Sequence, residues 1–420
     1  MESSQLLSII EEQYRQFKRK ETGIPRKLDI QRQMDMPQVS FITGIHRSGK
    51  STWLHQISEN YDTWYFMNFD DERLAGFELE DFQKTMICFK KMSQASVIFF
   101  DEIQHVSGWE QFIRRIYDEG FKVYITGSNS KILESDLATR LTGRYIRTEM
   151  YPFSFSEFLL FKKISYNSFI TDEIAIILRE LEEYLFNGGF PEYIRSKDEE
   201  VLQRLYEDVL YKDLIAHFGI RNIGGFKKLS LFLATNFTKI FSYNSLAKTL
   251  QLHSPNTVKE YISLLQESYL FDELLKYDVS LKRQYLSMRK IYMVDNGLRN
   301  SVAFKTSDDK GRLLENLVFI ELKRRKHNIF YYKTRNNREV DFLIAEDSLR
   351  LLQVCYDLSD PYTQEREIKA LTEAMKELSL RESTLITYNS DHEYLKINGF
   401  TIQVLPVWKW LLTAETDIIK

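Results

Sequence analysis

Apolar and polar positions follow two rhythms along this chain, and the change falls near residue 156. Before it, short apolar runs of strand length alternate with helical stretches. Residues 3–20 form an amphipathic pattern rich in Glu, Arg and Lys and predict a helix, which Gly23 and Pro25 break. Arg26 and Arg32 follow and read as a solvated lead-in. Val39–Thr43, Thr63–Phe69 with its alternating aromatics, Ser96–Asp101 and the run from Phe121 predict strands, with a helix over 80–91. The run SVIFFD is apolar without alternation, as expected of a strand buried on both faces of a parallel sheet. From about 156 to 215 the period is helical, interrupted at Gly188, Gly189 and Pro191, which read as a packed turn. Residues 226–294 predict three helices and then two strands, with Ser254-Pro255 as a helix start. The end of the chain (REIKALTEAMKEL, STLITY, TIQVLPVWKWLL) predicts helix, strand, strand, helix, with Trp408 and Trp410 in a core.

At 420 residues the chain has room for two to four domains. A net charge of −3 supplies no global attraction to nucleic acid, so any such case has to be local. The 2 cysteines, Cys88 and Cys355, have no metal-like spacing and suit a reducing compartment. No apolar stretch approaches the length of a membrane span, and the N-terminus lacks a signal-peptide core, so the expected location is cytoplasmic.

The chemistry concentrates after the first strand. VSFITGIHRSGKST runs from strand to loop to helix and fits G-x-x-x-x-G-K-[ST] in full, from Gly44 through Ile45, His46, Arg47, Ser48, Gly49, Lys50 and Ser51, with Thr52 next. Such a loop directs backbone N–H groups at one point beside the positive end of a helix, where phosphates sit. Lys50 would reach the β- and γ-phosphates and Ser51 would ligate Mg2+. Asp101 and Glu102 end a buried strand, where ligands of parallel sheets collect. Asp101 is placed to hold Mg2+ through a water and Glu102 to polarise the attacking water. Ser128, with Asn129 beside it, ends the next strand and is placed to sense the terminal phosphate. Arg140 and Arg144 are candidates to offset developing charge, from within the subunit or from a neighbour in an oligomer. The acidic cluster Asp70, Asp71 and Glu72 reads as a strand-end cap.

In order, GIHRSGKST, NFDDERL, FFDEIQHVSGWE, ITGSNS, LTGRY and YPFSFSEFL resemble the prokaryotic AAA-type ATP-binding proteins that carry a C-terminal domain of unknown function. The likeness continues through GGFPEY, RKIYMVDNGL, GRLLENLVFIEL and EVDFLI and covers nearly the whole chain. It implies an α/β fold: an AAA-type P-loop NTPase with a parallel sheet and helices on both faces, then a helical segment, a winged helix and a small restriction-nuclease-like α/β domain. The matching boundaries are an N-terminal helical lead-in over 1–37, the ATPase core over 38–155, the helical segment over 156–225, the winged helix over 226–294 and the last domain over 295–420. ATP and Mg2+ are the implied cofactors.

The helix from Pro255 would be the recognition helix, exposing Asn256, Thr257, Lys259 and Glu260, with Lys282, Arg283 and Arg289 on the wing. A restriction-type centre needs a helix glutamate, a strand-end aspartate and a following glutamate–x–lysine. Glu315 and Asp341 fit the first two, but Gln353 and Cys355 stand at the last two positions. The domain is therefore expected to be inactive as a nuclease, unless a migrated lysine or arginine rescues it; Arg350 is the nearest basic residue on that side. A basic run, Lys323, Arg324, Arg325, Lys326, Lys333, Arg335 and Arg338, suits a phosphate backbone. The expected function is an ATP-driven switch whose C-terminal modules contact DNA. The alternatives are an ATP-controlled protein-interaction switch and an ATP-regulated nuclease.

Overall fold

A computed structural model describes residues 1–128, 141, 143–165, 171–304, 309–390 and 394–413. They form two compact units, one of residues 1–151 with 267–269, the other of 152–266 with 270–420.

The first unit contains helices α1 (Ser3–Lys18), α2 (Ile30–Asp35), α3 (Lys50–Ser58), α4 (Asp81–Met92) and α5 (Trp109–Asp118). Its strands are β1 (Val39–Thr43), β2 (Tyr65–Asn68), β3 (Val97–Asp101), β4 (Lys122–Gly127) and β5 (Tyr145–Glu149). They build one sheet in the order β2-β3-β4-β1-β5, with every pair parallel. Successive side chains leave a strand on opposite faces, so each strand feeds two cores. Phe41, Met67, Phe100 and Ile125 meet α1, α4 and α5 on one side. Ile42, Phe66, Phe99 and Tyr124 meet Trp53, Leu54 and Ile57 of α3 on the other. Each fully buried side chain of this size contributes about 1.5–3 kcal/mol.

Helix α1 is more than a lead-in. Leu6, Ile9 and Ile10 are buried in the first core. Gln13 clamps the end of β2: its Nε2 donates to the Asn68 carbonyl (3.0 Å) and to Asp71 (2.9 Å), and its Oε1 accepts from the Asn68 N–H (2.9 Å). Asp71 also accepts from the Arg73 N–H (3.0 Å) and side chain, and these bonds hold its carboxyl well below the usual carboxylate range. The acidic cluster is thus the strand-end cap its sequence suggested.

The second unit opens with helices Phe155–Phe161, Thr171–Asn187, Pro191–Ser196 and Glu199–Asp208, the last running into a π-helical stretch, Val209–Ala216. Next come helix Ile223–Thr235, β6 (Ile240–Phe241), helices Tyr243–Thr249 and Pro255–Glu267, β7 (Phe271–Leu275), helix Leu281–Leu286 and β8 (Arg289–Met293). The strands form an antiparallel sheet in the order β6-β8-β7. Ser254 accepts from the Thr257 N–H at 3.2 Å, the cap its sequence predicted. The β7–β8 connection holds a short helix, unlike the plain wing expected, because Asp278 accepts from both the Ser280 N–H and Arg283 at 2.9 Å and curls the chain.

Strands β9 (Ile329–Lys333), β10 (Glu339–Ala345), β11 (Leu349–Cys355), β12 (Glu382–Thr387), β13 (Tyr394–Ile397) and β14 (Phe400–Pro406) form a mixed sheet in the order β13-β14-β12-β11-β10-β9. Helices Asp309–Arg324 and Pro361–Leu378 accompany it, and Trp408 and Trp410 are buried as predicted. Gly188 and Gly189 close a turn against Asp295: a Cβ on Gly188 would lie 2.0 Å from Asp295 Oδ1, and the Gly189 N–H donates to its Oδ2 at 2.7 Å.

Candidate functional site

The loop between β1 and α3 is shaped by contact. Gly44 has φ +143°, and a Cβ there would lie 2.1 Å from the Met150 carbonyl oxygen, so only glycine lets β1 turn beside the end of β5. Arg47 takes a left-handed φ of 62° and Gly49 begins α3. Lys50 is buried and curls back, donating to the carbonyls of Gly44 (3.0 Å) and Ile45 (3.3 Å). The Ser48 hydroxyl is buried with no hydrogen-bond partner among the described residues.

Strand β3 delivers Asp101 and Glu102 to this loop. The Thr126 hydroxyl donates to Asp101 and accepts from the Glu102 N–H at 2.9 Å, which joins β4 to both acids. Burial, helped by the neighbouring Glu102 charge, pushes the Asp101 carboxyl up, while Thr126 and Ser51 hydroxyls hold it by hydrogen bonds. Glu102 adopts a left-handed backbone (φ 51°, ψ 46°), a strained conformation for a residue with a Cβ. It leaves the strand direction and turns to Lys50, with Oε1 3.4 Å from the ammonium. Its Oε2 accepts from Gln104 (2.5 Å) and from Ser128 (3.1 Å). Burial works to raise the Glu102 carboxyl, but Lys50, His46 and the two hydrogen bonds outweigh it and hold it down at about 2.

Lys50, Ser51, Asp101, Glu102 and Ser128 are therefore together, as their motifs suggested. Arg144 is not with them: its carbonyl accepts from the Val39 N–H at 2.8 Å, at the opposite end of β1 from the loop, and its guanidinium lies 3.7 Å from Asp118. Asn129 and Arg140 lie outside the described residues. Three further residues join the site without a motif to mark them. Gln104 binds Glu102. Lys20, past the end of α1, has its ammonium pushed down by burial and partly restored by the charge of Asp101. Arg26, expected to be a solvated lead-in, instead donates to the Ser48 carbonyl (2.8 Å) and to the Tyr151 carbonyl (2.7 Å), bracing the loop from outside. An arginine bound to backbone carbonyls leaves no pattern; Gln104 had the one signal of a polar side chain two residues past the acidic pair.

These residues fit a magnesium-bound nucleotide. The loop admits no side chain at Gly44; Ser51 and Asp101 offer the hard oxygen donors that Mg2+ prefers; and the buried Ser48 hydroxyl lacks a partner among the described residues.

In the second unit a cavity of about 730 Å3 is lined by Glu315, Asp341, Gln353 and Cys355, so the nuclease-like positions do converge. Arg350 does not join them; it pairs with Glu346 at 2.8 Å. Arg312, Arg338 and Arg366 also line the cavity, and Lys290 of β8, inside the RKIYMVDNGL stretch, pairs with Glu315 and Asp341.

The basic run is not the open patch its spacing suggested. Arg324 and Arg325 both pair with Glu321, and Arg324 also donates to the Pro152 carbonyl at 3.1 Å. Lys323 pairs with Asp272 (2.6 Å) and Arg338 with Glu373 (2.9 Å). Carboxylates from the same helix and from neighbouring elements consume these charges. Lys326, Lys333 and Arg335 make no ion pair among the described residues.

Residues 36–159 match the AAA domain family, and 178–309 and 310–410 match two families described as domains of unknown function, DUF8612 and DUF4143. An uncharacterised protein of Methanocaldococcus jannaschii is 37% identical over 92% of this chain and 90% of its own length. One of Haemophilus influenzae is 30% identical over 90% of this chain and 95% of its own. Among solved structures, AMPPCP-bound DnaA from Aquifex aeolicus aligns at 15% identity over 57% of this chain and 86% of that one, with a TM-score of 0.26. The S. cerevisiae Hsp104–casein complex aligns at 12% identity over 66% and 61%, with a TM-score of 0.31.

Proposed function

The chain belongs to the family that joins an AAA domain to two C-terminal domains of unknown function, and from that premise we propose that it hydrolyses ATP with Mg2+ and uses the cycle to control what its C-terminal modules hold. The observation that carries this reading is the set of contacts on Glu102. Lys50, Ser128 and Gln104 occupy both its carboxylate oxygens and keep its proton affinity low. A carboxylate so held is a poor base. When Lys50 exchanges the loop carbonyls and Glu102 for phosphate oxygens, Glu102 loses its nearest cation and its proton affinity rises, which suits it to take a proton from the attacking water. Bound Mg2+, held by Ser51 and through water by Asp101, would supply charge neutralisation at the phosphates. Ser128 orients the base or the terminal phosphate. Arg144, at the far end of β1, is suited to act only on a neighbouring subunit's nucleotide, in an oligomer.

Helix Ile223–Thr235, β6, two further helices, β7 and β8 follow the order of a winged helix, and we read them so. DNA contact through its helix Pro255–Glu267 and through Lys326, Lys333 and Arg335 is one reading. A protein partner is favoured by the β7–β8 connection, where Val279 (84% exposed), Leu281, Tyr285 and Leu286 (76%) face solvent while Arg283 pairs with Asp278. ATP turnover measured with and without duplex and single-stranded DNA, alongside mass by light scattering in ATP, tests both parts. No turnover under any condition would end the hydrolase reading, and turnover indifferent to DNA would favour the protein partner.

A further inference from the structure

Nuclease-like folds organise their carboxylates around divalent cations, and the second unit has the carboxylates but does not fit the cation. We infer that Lys290 is a built-in replacement for that cation, so that this centre holds together and stays hydrolytically silent without metal. The ammonium is 2% exposed and lies 2.6 Å from Glu315, 2.7 Å from Glu339 and 3.2 Å from Asp341. The ammonium hydrogen-bonds Glu315 and Asp341 and ion-pairs with Glu339, so carboxylates from the helix Asp309–Arg324 and from β10 gather on one cation. Among the described residues no group of three or more His, Cys, Asp or Glu is arranged to hold a metal ion.

The other motif positions are spent in keeping with this. Gln353 accepts from the Asp341 N–H through Oε1 (3.0 Å) and donates through Nε2 to Glu367 (2.6 Å), so its amide ties β10 to the helix Pro361–Leu378. Cys355 donates to the Asp357 carbonyl at 3.2 Å, and burial pushes its thiol up to about 11. Asp341 gives its second oxygen to the Val354 N–H (3.1 Å), and Glu315 also accepts from the Tyr292 hydroxyl (2.7 Å).

Lys290 is fixed from behind. On β8, Tyr292 stacks on Phe319 with ring centroids 3.9 Å apart, and Asn316 both accepts from the Met293 N–H (3.0 Å) and donates to the Met293 carbonyl (2.9 Å). The strand that carries the ammonium is bolted to the helix that carries Glu315. The backbone of Lys290 is thereby held beside the carboxylates that its ammonium pairs with.

The test is nucleotide-free Mn2+ binding by the full chain, followed by electron paramagnetic resonance, in wild type, Asp341→Asn, Lys290→Met and the double variant. Wild type and Asp341→Asn are expected to bind Mn2+ identically. Lys290→Met strips the carboxylates of their cation and is expected to gain a site at least tenfold tighter, lost again in the double variant, with a melting temperature that Mn2+ raises. Mn2+ bound by wild type and lost in Asp341→Asn would overturn the inference, as would a folded Lys290→Met indistinguishable from wild type. Should Lys290→Met fail to fold with or without Mn2+, the comparison of wild type with Asp341→Asn decides alone.

Discussion

Lys50 and Glu102 face each other at 3.4 Å beneath the phosphate loop, so the group that should grip phosphate and the group that should accept a proton neutralise one another. Hydrolysis requires them to part. Lys50→Ala is expected to lower ATP turnover by at least about 100-fold through lost charge stabilisation. Glu102→Gln is expected to keep nucleotide affinity while turnover falls by about 10²–10⁴-fold. Equilibrium binding and steady-state hydrolysis separate the two effects. A Glu102→Gln protein working at the wild-type rate would remove Glu102 from the role of base.

Arg26 is expected to matter to nucleotide binding without touching the nucleotide. Its two bonds to the Ser48 and Tyr151 carbonyls are charge-assisted, worth about 1.5–3 kcal/mol each. Arg26→Ala should loosen the loop, lower the melting temperature and weaken ATP binding by roughly tenfold at about 1.4 kcal/mol per decade. Melting curves with and without nucleotide check this, and equal stabilisation by ATP in both proteins would show that the brace is idle.

The basic run divides into two kinds of residue. Arg324 is partly buried against the buried Glu321, and Arg324→Ala should destabilise the second unit by up to about 3 kcal/mol, because it leaves Glu321 without one of its two cations. Replacing Lys326, Lys333 and Arg335 together by alanine should leave stability unchanged. If these three contact DNA phosphates, the slope of log affinity against log salt should flatten by about 3. An unaltered slope would clear the patch of any part in DNA binding.

Asp295 gives the second unit a pH dependence of definite sign. Burial pushes its carboxyl up to about 6, against the opposing hydrogen bonds from Gly189, Leu298 and Gly297. Below the ordinary value of 3.8 both folded and unfolded chains are protonated there. Between 3.8 and about 6 the unfolded chain releases the proton and the folded chain keeps it, so rising pH costs stability, in all about 3 kcal/mol. Asp295→Asn should remove this component, and denaturant titrations of both proteins at pH 4 and pH 7 would show the difference. Parallel pH profiles would mean that the carboxyl titrates normally.

Much of the nucleotide-binding unit is legible because its strands are written as apolar runs and its loop as a dense motif. Phe41 and Ile42, or Phe99 and Phe100, have to face opposite ways once the strand is recognised. Other features are set by partners distant in the chain. Nothing near Glu315 announces that its cation arrives from Lys290, 25 residues earlier on strand β8. The basic run offers less free charge than its composition suggests, for a reason the sequence does contain: Glu321 stands three and four residues before Arg324 and Arg325, the spacing at which helix side chains pair. Arg144 follows soon after Ser128 along the chain, but β5 starts just beyond it and runs parallel to β1, which leaves Arg144 at the end of β1 away from the phosphate loop.

The docking of α1 bears on how the nucleotide-binding unit is to be excised. A fragment begun at residue 36, where the AAA domain match starts, would discard Leu6, Ile9, Ile10 and Phe17 and leave bare the greasy surfaces they cover. It would also shed the Gln13 clamp and the Arg26 brace. Insolubility of such a fragment would testify to where it was cut and would say nothing of the chemistry of its loop.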